Sequence, residues 1–390
     1  MPNPLSCISP ALNLLGQELK ILPATGQAVE DLQRPDQEEI DDIFLMKGKE
    51  DIHTFAEIPE PTLENLYRST PPIFREQNHF FRFFIDGCIR TYYLGTAVEG
   101  KRSFPIELAQ IGAVIICRLD NGQVQIYKCG KDMFCKNKVL LLIPRGGDGL
   151  SDTLWEKLRV LKSADGFFEP IDINESDILS AQDRGKDPRN VAGGKARYEM
   201  HQMEIKLISE IYKSSDENAW TILDGGLRIG EKDYFFDKNG NPFPLIGVAK
   251  SFSKTPEFHV GSGRKPQRID ITTLLAGLPF AHRTAAFSME NDEIAFWYVR
   301  LREQKELDYP LMGVVKVEIW RKDKNPITSG QADLISSALV GERNVTPYGI
   351  DKRWHCHLYP IYIAEQAIRS RFFSQDVLLG CINWPKRNFI

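Results

Sequence analysis

The sequence lacks any apolar run approaching the roughly eighteen residues a membrane-spanning helix needs, and its N-terminus lacks the basic-then-apolar pattern of a secretory leader. Seven cysteines (Cys7, Cys88, Cys117, Cys129, Cys135, Cys356, Cys381) include no CxxC pair. That argues against a zinc ribbon or a disulfide framework and for reduced thiols in a cytoplasmic protein with no membrane partner. There is no internal repeat and no low-complexity tract, so a solenoid is not expected. Positive charge is not in excess either: 49 Lys and Arg stand against 53 Asp and Glu, a net charge of -4. A nucleic-acid role must then rest on local basic loops, and an acidic metal site would itself add to the negative balance. What is present is ordinary globular composition, 42% hydrophobic and 26% charged over 390 residues. That is enough for one large domain or two modest ones.

Residues 1–75 differ from the rest. The acidic stretch Asp36–Asp42 and the prolines of Ile58–Thr62 and Thr70–Pro72 predict helical and extended pieces joined by linkers, an arm more than a core. From Phe80 the pattern turns to strands. Phe80–Asp86 is an apolar run ending in an acid; Arg90–Gly95, Ala109–Arg118 and Gln123–Tyr127 follow, the last two joined by the hairpin signal Asp120-Asn-Gly122. Residues 145–195, polar and rich in Gly and Asp, read as a loop-rich insertion. Lys195–Lys213 has helical periodicity. Strands are expected at Trp220–Asp224, Leu245–Lys250, Ala295–Arg300 and Gly313–Ile319, and a closing helix from Pro360 to Phe373.

Two segments share one design, an apolar strand whose last residue is Asp followed by Gly: Asp86-Gly87 and Asp224-Gly225. The strand fixes the carboxylate, and the glycine leaves room for a metal or phosphate beside it. Either one singly is more often a plain turn than a catalytic acid. The helix between them offers Glu199, Glu204 and Glu210. Glu204 lies on the apolar face with Met200, Leu207 and Ile208, where a charge is costly unless a cation needs it. An Asp on the first strand, an antiparallel meander, a helix and a strand ending in Asp is the succession of ribonuclease-H-like nucleases. Clustered carboxylates repel, and magnesium or manganese, which prefer oxygen ligands, relieve that. Two such ions about 3.5–4 Å apart can serve phosphodiester hydrolysis. The expected fold is α/β, a ribonuclease-H-like mixed sheet with flanking helices over residues 76–390, plus the N-terminal arm.

The first-strand Asp86-Gly87, Leu223-Asp-Gly-Gly-Leu227, Ile246-Gly-Val-Ala-Lys250, and His357-Leu-Tyr-Pro360 running into Ile363–Ala367 resemble successive motifs of the NurA nucleases. The resemblance implies a manganese- or magnesium-dependent DNA nuclease acting at DNA ends, with Asp86, Glu204 and Asp224 holding the metals. It also implies a homodimer that works with a HerA-like hexameric ATPase.

Lys250, at the end of a buried strand, reads as a contact either to the scissile phosphate or to a structural carboxylate. His355 and His357, alternating on an expected strand, point the same way, but no third ligand at a recognised spacing supports zinc. His357 and Tyr359 act near the phosphate or simply pack, and Glu365 is a fourth acid of the site or a solvated helix residue. Arg264, Lys265 and Arg268, with Arg184 and Lys186, could track a DNA backbone; ordinary surface solvation is the other reading. Gly261-Ser-Gly263 lacks the Walker spacing, so ATP-driven motion would belong to a partner. The competing functional class is a non-catalytic assembly subunit of a DNA-translocase complex; a nuclease acting on RNA is a further option.

Overall fold

The apolar runs of the sequence become the middle of one large mixed sheet, and the protein is α/β. The structure is a computed structural model that describes residues 4–24, 30–32, 52–74, 79–99, 102–145, 152–163, 166–174, 189–214, 219–227, 234–252, 257–260, 267–288, 293–303, 311–347 and 352–385. The strands that matter for the site are β1 (Lys20–Pro23), β2 (Glu30–Leu32), β3 (Phe81–Glu99), β4 (Arg102–Arg118), β5 (Cys135–Arg145), β6 (Phe168–Asn174), β7 (Trp220–Asp224), β8 (Leu245–Ala249), β9 (Ile294–Arg300) and β10 (Val314–Trp320). The helices are α1 (Ile8–Glu18), α2 (Asp152–Val160), α3 (Arg189–Ser214), α4 (Ser329–Gly341) and α5 (Tyr359–Arg369).

The sheet runs β6-β5-β4-β3-β7-β8-β10-β9 and continues through His282–Thr284 to Tyr67–Ser69. Strands β5, β4 and β3 are antiparallel neighbours, whereas β3, β7 and β8 run parallel. Strand β10 then returns antiparallel to β8, and β9 to β10. The expected hairpin after Arg118 forms: Gly122 takes a φ of 79°, and Arg118 pairs with Val124.

Helices cover both faces. On one face Phe84, Cys88, Ile222, Ile246 and Val248 pack with Ile335 and Leu339 of α4 and with Ile361, Ala364 and Ile368 of α5. On the other, Phe83, Ile85, Leu223 and Leu245 pack with Met203, Leu207, Ile208 and Ile211 of α3. The alternation follows from the period-two geometry of strands, and each fully buried Leu, Ile or Phe contributes about 1.5–3 kcal/mol.

Strand β3 is 19 residues long, so Asp86 does not end a strand as expected but lies inside one. One edge of β3 pairs with β4 from Phe83 to Glu99. The other edge is shared. Strand β7 runs parallel to Phe81–Ile85, while β2 and β1 run antiparallel to Thr91–Tyr93 and Gly95–Val98. Between the two sets, at 86–90, no described strand pairs with that edge.

The first 75 residues, expected as an arm, belong to the body wherever they are described. Helix α1 buries Ile8, Ala11, Leu12 and Leu15, an i, i+3, i+4, i+7 stripe, against Leu94, Ile106 and Leu154. Strands β1 and β2 edge β3, and Glu57 is buried against Arg283. Partners so remote in sequence leave no local signal, which is why this segment reads as linker. The acidic stretch 36–42 lies outside the described residues. The expected insertion at 145–195 likewise contains α2, which buries Leu154, Trp155 and Leu158, and β6, a parallel partner of β5. Among the described residues no helix is long and apolar enough to cross a membrane.

Candidate functional site

Asp86 shares its face of β3 with Phe84 and Cys88, and Asp224 shares its face of β7 with Ile222, so both acids point toward α5. There they meet Lys250, just beyond β8. Lys250 Nζ donates to Asp224 Oδ2 at 2.8 Å and to His357 Nδ1 at 2.9 Å. A lysine ammonium has no acceptor, so Nδ1 must carry the lone pair and the imidazole proton sits on Nε2. That Nε2 lies 3.3 Å from Glu365 Oε2, and Glu365 Oε1 accepts from Arg369 Nη2 at 2.6 Å. A chain of alternating charge thus runs from Asp224 through Lys250 and His357 to Glu365 and Arg369. Lys250 thus contacts a carboxylate, one of the two partners expected of it.

Glu204 comes from the opposite layer. It lies on α3, 2% exposed, and its Oε2 is 2.7 Å from His201 Nδ1. It comes close to β3 at Gly87, where a Cβ would stand 2.7 Å from Glu204 Oε1 and 2.7 Å from Met200 Sδ. Gly87 is therefore not the turn-former its pairing with Asp suggests; it is an opening in the strand through which the α3 carboxylate approaches. Gly87→Ala is expected to destabilise the protein by about 1–3 kcal/mol through overpacking, and to displace Glu204. Chemical denaturation of the variant checks the first effect and its manganese response the second; an unchanged midpoint would show that Met200 and Glu204 give way freely.

The electrostatics record this convergence. Burial pushes the Asp86 carboxyl well above the ordinary range, and the negative charges of Asp224, Glu365 and Glu204 push it further, against the pull of Lys250. For Lys250 burial works against the charge, but Asp224, Asp86 and Glu365 outweigh it and its pKa is raised. Three further carboxylates thus act on Asp86, and three, Asp86 among them, act on the Lys250 ammonium. Among the described residues no three His, Cys, Asp or Glu side chains form a ready-made metal cluster. The geometry accounts for this: Glu204 stands on the far face of β3 from Asp86 and Asp224, and Lys250 already takes one Asp224 oxygen. Cys356, packed beneath, is pushed up to about 12 by burial despite the nearby Lys250, so it offers no thiolate nucleophile at neutral pH.

The structure brings Asp86, Asp224, Lys250, His357 and Glu365 together on the α5 side of the sheet, whereas Glu204 stays on the α3 side, against Gly87. His355 and His357 do not alternate on a strand: a 3-10 turn, Lys352–Cys356, precedes His357. Tyr359 begins α5 with its ring under Arg343, 4.5 Å from the cation to the ring centroid, a packing contact. Arg184, Lys186, Arg264 and Lys265 lie outside the described residues, and Arg268 falls on a short strand, Gln267–Asp270. His201 was missed by the sequence reading. Its signal is its spacing, three residues before Glu204 on one helix face. No protein-family description and no curated protein sequence matches this chain.

Proposed function

We propose that this protein is a divalent-metal-dependent DNA nuclease with a ribonuclease-H-like core, resembling the NurA nucleases and processing DNA ends. The observation that carries the reading is the placement of Asp86 and Asp224 on one face of the sheet, with Lys250 bonded to Asp224 and linked through His357 to Glu365. The β5-β4-β3-β7-β8 order supports the fold assignment, with its antiparallel meander, its parallel continuation and α3 placed in the chain between β5 and β7. That is the succession of ribonuclease-H-like domains.

Asp86 and Asp224 suit a hard cation on one face of the sheet, and Glu204 would have to join them past Gly87. All four acids offer oxygen, and Asp86, buried among like charges, retains its proton more readily than an ordinary Asp, which is the state a divalent ion relieves. Asp86, Glu204 and Asp224 would hold manganese or magnesium, in one or two ions. When bound, the metal supplies Lewis acidity toward the phosphodiester and a water of lowered pKa. The chain's own residues do the rest. Lys250 holds the Asp224 carboxylate and the His357 ring in fixed relation and adds positive charge facing an incoming phosphate. His357, its Nε2–H directed at Glu365, is held in one tautomer. Arg369 neutralises Glu365 at the outer rim. The same resemblance brings in a homodimer, a HerA-like hexameric ATPase as partner, and a cytoplasmic setting.

The test is cleavage of linear DNA, and of RNA in parallel, by the purified protein with manganese. Activity is expected on DNA, lost with chelator and lost in Asp224→Ala while the variant keeps its fold by circular dichroism. A folded wild type that cleaves neither DNA nor RNA would leave the assembly-subunit reading in its place, and cleavage that survives chelator would overturn the metal dependence.

A further inference from the structure

Beyond β7 the chain reads Asp224-Gly225-Gly226-Leu227, and two adjacent glycines leave the direction of the backbone after the acid almost unrestricted by local sterics. Gly225 takes a φ of 116°, a conformation that disfavours any side chain. What fixes this turn must come from outside it. One contact is backbone: Gly225 N–H donates to Val248 O at 3.0 Å. The other is a side chain from two strands away. Glu318 of β10, 3% exposed, accepts the Leu227 N–H on Oε2 at 2.6 Å.

Glu318 can reach that amide because of a second glycine. Gly247 on β8 is the register partner of Glu318 on β10. A Cβ at Gly247 would stand 2.8 Å from Gly225 O and 3.2 Å from Leu227 N. The turn therefore lies directly over Gly247, and Glu318 reaches past it. Its other oxygen is held by Lys316 Nζ at 2.7 Å, and Lys316 lies 4.4 Å above the Phe296 ring. A Cβ at Gly226 would come within 3.0 Å of Glu318 Oε2, so the fit is close on that side too. A buried carboxylate with a charged partner, spent on one backbone amide, is a costly way to close an ordinary turn.

We infer that Glu318 is a positioning residue for the site: with Gly247 and Lys316 it latches the Gly225–Leu227 turn from the α3 face and so sets the aim of the Asp224 carboxylate on the α5 face. The inference rests on the metal-nuclease reading, because aim matters only if Asp224 must meet a cation.

The latch is a second-sphere support of the kind whose loss weakens metal binding by about 10–100-fold. Manganese binding is measured by isothermal titration calorimetry, with cleavage rates as a second readout. Glu318→Ala is expected to raise the manganese concentration for half-saturation at least about tenfold. Its rate at saturating manganese should stay nearer that of wild type. Glu318→Gln, which keeps an acceptor oxygen for Leu227 N–H, should recover most of the lost affinity. If Glu318→Ala fails to fold because Lys316 loses its carboxylate, Glu318→Ala/Lys316→Met removes both charges and carries the same expectation. Wild-type manganese affinity in a folded Glu318→Ala or double variant overturns the latch while leaving the nuclease reading intact. Absence of manganese binding by wild type overturns the nuclease reading itself, and the latch with it.

Discussion

Replacing Asp86 by Asn is expected to stop cleavage and, at the same time, to make the metal-free protein harder to unfold. The loss of activity should be about a thousandfold or more, since a bound metal contributes several kcal/mol to the transition state and tenfold in rate is about 1.4 kcal/mol. The gain in stability has a separate origin. The folded pKa of Asp86 is raised above its ordinary 3.8, by burial first and by Asp224 next. The folded state therefore holds its proton more tightly than the unfolded state does. Stability is lost as pH rises from near 3.8 through the folded pKa, and above it the whole penalty is present. Asn carries no such penalty, so its advantage should be largest at neutral and alkaline pH and vanish toward pH 4. The melting temperature in chelator should rise by about 1 °C for each kcal/mol relieved. Manganese should stabilise wild type and leave the variant unmoved. A variant that melts below wild type in chelator at pH 8 would mean that Asp86 is held by contacts that outweigh its charge.

The largest loss of stability is expected far from the acids, at Glu57. Its oxygens accept from Arg283 Nη2 at 2.6 Å, Arg283 Nη1 at 3.0 Å and Ala286 N at 2.8 Å, and both charged side chains are fully buried. Arg283 Nε donates to Asp333 at 2.7 Å, and Asp333 also holds Arg68. Glu57→Ala leaves a buried guanidinium with one of its two carboxylate partners gone, a change that costs about 3–5 kcal/mol. Burial pushes Glu57 up, but Arg283, Ser329 and the Ala286 amide outweigh it and hold its pKa below 4.5. Asp333 is held down in the same way by Arg68 and Arg283. Depressed folded pKa values stabilise above the unfolded values and lose that contribution as pH falls through the folded ones. Wild type should thus lose denaturant resistance below about pH 4 more steeply than the Glu57→Ala variant, for the cited acids titrate from reference values of 3.8 and 4.5. Parallel acid slopes for the two proteins would contradict this.

Local features of the sequence carried much of the site. Asp86 and Asp224 stand out because each follows an apolar strand and precedes a glycine, and Glu204 because it interrupts an apolar helical stripe. Lys250 is conspicuous at the end of a fully buried strand. What remained illegible depends on contacts between distant residues. Glu57 and Arg283 are separated by 226 positions, Leu227 and Glu318 by 91, and nothing near either member hints at the other. Gly87 misled for a related reason: Asp-Gly is so often a turn that its second use, admitting a side chain from another layer, has no distinct signature. The continuation of β3 past Asp86 escaped notice because Gly87 looked like its end.

The divided edge of β3 has a mechanical consequence. From Asp86 to Arg90 the ribbon keeps β4 on one edge but has no described strand on the other, so there it is held from one side where its ends are held from two. A load on the N-terminal strands would reach the acid as a small rotation, with no chemistry in between.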